Sequence, residues 1–518
     1  MKKLFRFLIC AMPAALYFSY FPLIHFGENE SMNFEISLPL IWLVAFDLTI
    51  VLMSFREKGF WWGIIKYWYW LLLPIWLSLS AIWSLNLVRG LITAAVLWLI
   101  YFAIYGFYYY KNLFKKECRT KFWQVFYGST IIVCAWCFLQ CILDLAGISR
   151  EYTLMCAGCT YSMFGFPHPN GFAIEPQFMG NLLLAPIITL VYFIIKGGAF
   201  AGFKKITSAQ KVTSAQKTNV FTIIANHRTA ANLTLLFLFL ATLFLTFSRG
   251  AIYAFIVAMI FMSTFAIVRE QKITRKKVAG RVGLTWLITA IAFLFTLNLQ
   301  GIMSATSPTS DTYQDGVAKV LNHLSLGKID IRTSEKESSG EFDTSDEYAQ
   351  SDDYRQSNEY SKEDKAEESS ATQKAAFDGY VAESTNARLY LSDAAMRSWN
   401  KDTRTMLFGV GLGGAGQAIF ANGFVLNPKE IVQNQYVSLL LESGLVGVAL
   451  LIFTLGLILR LIWKKCNILS PMLLALIVAY GITLCFFAGL ANALQIYLLT
   501  GWLMVYALFY QKNKAGHI

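Results

Sequence analysis

The strongest constraint on this chain is a recurrence: apolar runs of about twenty residues, the length that crosses a bilayer core, follow one another with short loops between them. Lipid offers no water to backbone N–H and C=O groups, so repeated runs of this length become helices. Spans are expected at about 5–26, 34–54, 60–83, 88–110, 122–146, 172–196, 231–247, 250–268, 282–302, 434–461, 468–489 and 492–510. The fold class that follows is all-α: a polytopic membrane protein of about twelve transmembrane helices. With 56% hydrophobic and 15% charged residues in 518, the composition excludes a pair of soluble domains. A formal charge of +12 would suggest nucleic acid in a soluble protein. Here the Lys and Arg residues crowd short loops between apolar runs, so no nucleic-acid partner is expected.

Those basic loops also set an orientation. Arg56 to Lys58, Lys111 to Lys121, Lys204 to Lys217, Arg269 to Arg281, Lys464-Lys465 and Lys512 to Lys514 alternate with loops that are not basic. The positive-inside rule then places both termini in the cytoplasm of a cell (inner or plasma) membrane, with a large outer loop between the ninth and tenth helices. Met1-Lys-Lys and Ala11-Met-Pro-Ala-Ala15 resemble a signal peptide, but the apolar run continues and reads as a retained first helix. Three regions follow: helices 1–9 in 1–302, an extracytoplasmic loop in 303–433, and helices 10–12 in 434–510. Within the loop, 335–375 is acidic and poor in aliphatic residues and is expected to be disordered, whereas 380–433 regains apolar residues at helical spacing and should fold as a cap. The tandem Ile206 to Lys211 and Val212 to Lys217 reads as a local duplication.

Cysteine usage points to no metal. Cys134, Cys137 and Cys141 share a helix face without His or carboxylate company, and Cys156 and Cys159 form a pair that is either an outer disulfide or inert. The residues that could carry chemistry all map to the outer side. Ser248-Arg249 lies at a tight turn between spans, its guanidinium suited to a phosphate or to lipid headgroups. Gly165 to Pro176 brings His168 and Glu175 to a helix mouth, where loss of solvation favours acid–base work and the helix dipole offers a purely structural reason for Glu175. Arg388 opens the folded half of the loop. Phe408-Gly-Val-Gly-Leu-Gly-Gly414 imitates a dinucleotide fingerprint without a strand around it, and reads as a flexible close-packing turn. Gln433-Asn434, followed by Gly444 and Gly447, marks close backbone approach to a neighbour or ligand.

Together these features resemble the O-antigen ligase and O-antigen polymerase superfamily, in layout over nearly the whole chain and in motif over Gly165 to Pro176, Ser248-Arg249, Arg388 to Gly414 and Gln433 to Gly447. Ligases of that superfamily carry a His followed by Asn, Ser or Gln and then two spaced small residues. Asn434, Gly444 and Gly447 stand in that register, and Gln433 occupies the His position. Glutamine exchanges no proton near neutral pH, which turns the expectation from a lipid ligase towards a polymerase.

The resemblance implies a GT-C-like fold and a glycosyltransferase without cofactor or metal. Its partners would be a polyprenyl (undecaprenyl) diphosphate-linked oligosaccharide, a glycan acceptor and the bilayer itself. Arg249 and Arg388 match the positions that contact the diphosphate. Glu175, then His168, are candidates for taking the acceptor proton, and Ser248, Gln433 and Asn434 for binding substrate. The rival from another class is a flippase or transporter of lipid-linked sugars. Asp47 supports it, because an intramembrane carboxylate costs about 3 kcal/mol, but polar residues otherwise gather at the outer edge and not at mid-depth.

Overall fold

The computed structural model describes residues 1–19, 22–26, 34–114, 116–148, 150–156, 159, 166–197, 227–269, 271–306, 312–326, 328–329, 370–428, 430–465, 469–487 and 494–509. The tandem duplication at 206–217 and residues 335–369 of the expected disordered stretch lie outside them.

Helix α1 (Lys2–Tyr17) stops well before Phe26. The chain then forms a two-stranded antiparallel ribbon of β1 (Pro22–Phe26) and β2 (Phe34–Ser37). Helix α2 (Leu38–Ser54) follows, and α3 (Lys58–Lys66) leaves it at 113°; α3 ends at Lys66, so the one straight span expected at 60–83 is interrupted. A 3₁₀ turn, Trp68–Leu71, leads into α4 (Leu72–Ser80), with Pro74 in the first turn, where its missing donor costs nothing. Next come α5 (Leu87–Tyr109), capped by Asn86 accepting from the Arg89 N–H at 3.1 Å, α6 (Lys116–Leu145) and the short α7 (Arg150–Thr153).

The hub is α8 (Pro176–Lys196), every residue of which from Met179 to Tyr192 is buried. Around it pack α6, α9 (His227–Leu245), α10 (Arg249–Val268), α11 (Lys272–Thr306), α17 (Ser470–Thr483) and α18 (Leu494–Phe509). Helix α12 (Tyr313–Leu324) folds back on α11. The other elements are α13 (Ser370–Trp399), α14 (Thr403–Phe408), α15 (Ala415–Ala421) and α16 (Gln435–Lys464). Helix α13 starts inside the 335–375 stretch expected to be disordered.

Among the described residues six helices are long and apolar enough to cross a membrane, seven if the bent α2–α3 pair is one span. Shorter apolar helices at Trp68–Trp83, Ala230–Leu245, Ser470–Thr483 and Leu494–Leu508 accompany them. The protein is an all-α, multi-pass membrane protein, the ribbon being its one departure from helix among the described residues.

The cap has a core of its own. Leu391, Ala394 and Ala395 of α13 and Ala415, Ala418 and Ile419 of α15 bury one another together with Val432 and with Leu441 of α16. Burying the Leu and Ile side chains here stabilises the seat by about 2 kcal/mol each.

Candidate active site

One end of the bundle collects the start of α8, the start of α10, the end of α12, the middle of α13 and the start of α16. Arg249 is the first residue of α10 and is buried. Its Nη1 donates to Thr385 Oγ1 on α13 at 3.3 Å. One turn along the same helix, Arg388 Nε donates to Gln433 Oε1 at 2.7 Å, just before α16 begins. The Arg249 guanidinium, from a helix far away in sequence, is therefore held one turn along α13 from the residue that carries the second guanidinium. Both also act electrostatically on the buried His323 of α12, whose imidazole is held down to about 3 by burial first and then by the Arg249 charge.

The turn before α10 explains how Arg249 is aimed. Thr246 Oγ1 accepts from the Ser248 N–H at 3.3 Å, Phe247 takes a left-handed φ of 48°, and Ser248 N-caps the helix. A Cβ on Gly180 of α8 would stand 2.8 Å from Ser248 Cβ, so only glycine lets the two helices approach at this point. The Ser248 hydroxyl is buried without a hydrogen-bond partner among the described residues.

His168 lies in the segment entering α8, buried, with its ring 6.4 Å from that of Phe247. The backbone N–H of His168 donates to the Cys159 carbonyl at 3.2 Å, and Cys159 is disulfide-bonded to Cys156, so the cysteine pair braces the His168 loop. Burial lowers the His168 imidazole to about 4. Glu175 is the N-cap residue of α8 and keeps solvent contact, although its side chain makes no capping bond. Loss of solvation raises its carboxyl, and the nearby Arg388 charge opposes that rise without cancelling it. The expected helix-dipole role is therefore not expressed as a cap.

Asn434 caps α16, its Oδ1 accepting from the Tyr436 and Val437 N–H groups at 3.1 and 3.2 Å. The Gln433 carbonyl is committed to Arg388. The glycine-rich Phe408–Gly414 segment is a packing device too, and it joins with the glycines of α16 in one unit. Gly444 breaks α16 at φ 64° and ψ −169°, which frees three carbonyls in a row. Leu441 O accepts from Val410 N and Glu442 O from Gly411 N, both at 2.9 Å, while Ser443 O accepts from Trp76 Nε1 at 3.1 Å. On its other side the segment bonds to the start of the bundle, with Ser84 Oγ donating to Leu412 O at 2.7 Å and Leu412 N donating to Ser80 Oγ at 3.2 Å. A broken helix in lipid needs its freed carbonyls met, and this segment meets two of the three while Trp76 of α4 meets the third, in keeping with the close-packing reading.

Residues 234–452 match the O-antigen ligase family profile, a stretch that runs from within α9 to within α16 and contains Arg249, Arg388, Gln433, Asn434, Gly444 and Gly447. This stretch belongs to the O-antigen ligase family. No curated protein matches the chain. The family carries out glycan transfer of the ligase or polymerase type from lipid-linked glycans in a membrane, and both arginines lie within the matched stretch. His168 and Glu175 come to the site from outside that stretch, on the segment that leads into the central helix.

Two members of the cluster escape a reading by apolar spans: His323 and Thr385. The signal for His323 was present. Thr312 and Asp315 form a reciprocal capping box, and Val317, Val320, Leu321 and Leu324 follow at helical spacing, which marks α12 and puts His323 in its last turn. Thr385 follows from Arg388, being one turn earlier on the same helix. Among the described residues no cluster of His, Cys, Asp and Glu is arranged to hold a metal.

Proposed function

We propose that this protein polymerises repeat units of a surface polysaccharide at the outer face of the plasma membrane, drawing each growing glycan from a polyprenyl diphosphate. The observation that carries the reading is that Arg249 of α10 bonds Thr385 of α13 one turn before Arg388 of that same helix. A diphosphate diester brings two negative charges and gains a third as the bond from anomeric carbon to oxygen breaks. Guanidinium groups fixed in place before that charge appears favour the transition state over the ground state. The acceptor hydroxyl attacks the anomeric carbon, its proton passing to Glu175 or, second, to His168. The raised carboxyl of Glu175, in reach of the Arg388 field, supports it as the first choice. Arginine meets a lipid diphosphate directly, so the reaction as proposed runs without metal or nucleotide.

Polymerisation is favoured over ligation by Gln433, which stands where ligases carry a histidine. The test is turnover of a lipid-linked repeat unit by purified protein, with products read by mass spectrometry. Polymer is expected, and Arg249→Met or Arg388→Met should each slow its formation about a hundredfold, the loss of roughly 3 kcal/mol of transition-state stabilisation. A single transferred glycan would identify a ligase instead. A carrier is the second reading, favoured by Asp47, whose two carboxylate oxygens are buried without hydrogen bonds among the described residues. Movement of unchanged lipid across liposomes, with no product, would select it.

A further inference from the structure

We propose that His323 is a positioning residue for the transfer reaction: its Nε2–H holds the Phe247 carbonyl and thereby fixes the turn that aims the Arg249 guanidinium. The inference rests on the reading that Arg249 serves the diphosphate. His323 Nε2 lies 3.1 Å from Phe247 O. A carbonyl can only accept, so this nitrogen carries the proton and donates. Phe247 needs such a hold, since an aromatic residue at φ 48° occupies the left-handed region that side chains other than glycine rarely adopt. Its ring is clamped as well, with Phe166 at 5.0 Å and the His323 ring edge-on at 6.3 Å. The backbone angles of Phe247 set the direction in which the chain enters α10, and Arg249 is the first residue of that helix.

The rest of α12 is built to keep His323 there. The Thr312 and Asp315 capping box fixes the start of the helix, the Tyr253 hydroxyl of α10 donates to the Leu324 carbonyl at its end, and Val320 packs against Phe166 and Phe247. The identity of the residue also makes sense. A donor placed beside two guanidinium groups must add no third positive charge, and a buried imidazole within the fields of Arg249 and Arg388 stays neutral where lysine or arginine would repel them.

The test is a double-mutant cycle on polymer formation by purified, folded protein. His323→Phe removes the donor and should lower kcat/KM about tenfold, the loss of one hydrogen bond's worth of alignment. His323→Gln, whose side-chain amide can donate to the same carbonyl, should restore the rate to within about threefold. In an Arg249→Met background, His323→Phe should change nothing further, whereas in an Arg388→Met background it should still cost about tenfold. His323→Met, which fills the space without a donor, serves where the phenylalanine variant does not fold. Full additivity with Arg249→Met, or no rescue by glutamine, would overturn the proposal. Undiminished activity of Arg249→Met alone would instead remove the diphosphate reading beneath it.

Discussion

At the scale of single residues, the site places positive charge beside groups that stay uncharged. His168 and His323 fold as neutral imidazoles at about 4 and about 3, below the ordinary 6.5. The sign follows from linkage. Below pH 6.5 the unfolded chain takes up protons that the folded one refuses, so stability is complete above that pH and is lost as pH falls towards the folded values. By pH 5 the loss should be about 2 kcal/mol for each histidine. Thermal melting of detergent-solubilised protein between pH 7.5 and about 5 checks it, and His323→Gln should flatten the decline. Gln433 gives a second outcome. Its carbonyl holds Arg388 at 2.7 Å, so Gln433→Leu should lower polymer formation about tenfold by releasing the guanidinium, while leaving the melting temperature within about two degrees. An unaltered rate would mean that Arg388 needs no such partner. The sequence pointed to Gln433 as a sugar-binding group, and nothing in it distinguishes that from a residue that orients an arginine. Only the fold brings α13 against α16.

At the scale of elements, the break in α16 decides the most. Gly444 lies at φ 64° and ψ −169°, and a Cβ there would come 2.3 Å from the Leu407 carbonyl oxygen. Gly444→Ala should therefore cost about 3 kcal/mol or more and reduce the yield of folded protein, as measured by size-exclusion profile and melting temperature. Gly456→Ala, further along the same helix with open space around it, should be neutral or slightly stabilising. The glycine spacing was legible in the sequence as close approach, but the partner was not. Phe408–Gly414 and the α16 glycines looked like separate motifs and prove to be two halves of one hydrogen-bonded junction. Helix α12 went unread for a different reason: a search for apolar spans passes over a short amphipathic helix whose start is marked by Thr312 and Asp315.

At the scale of the whole molecule, the apolar runs announced a helical membrane protein, but not that α8 would be its hub. They did not announce the break at Trp68–Leu71 that divides the run at 60–83 into α3 and α4, because hydropathy averages over a window and an interrupted run reads like one straight span. Orientation is a further expected outcome. In a Cys485→Ser background, a cysteine at exposed Asn400 should react with a membrane-impermeant thiol reagent added outside cells, and one at Arg275 should not. The reverse pattern would turn the site to the cytoplasm. What the bundle achieves overall is to bring Arg249 of α10 against Thr385 of α13, one turn from Arg388. The most direct measurement of that claim is the affinity of purified protein in nanodiscs for polyprenyl diphosphate against polyprenyl monophosphate. The wild-type protein should prefer the diphosphate by at least about tenfold, and Arg249→Met and Arg388→Met should each abolish that preference. Equal affinity for the two lipids in the wild type, or a preference that survives the loss of either arginine, would contradict the account.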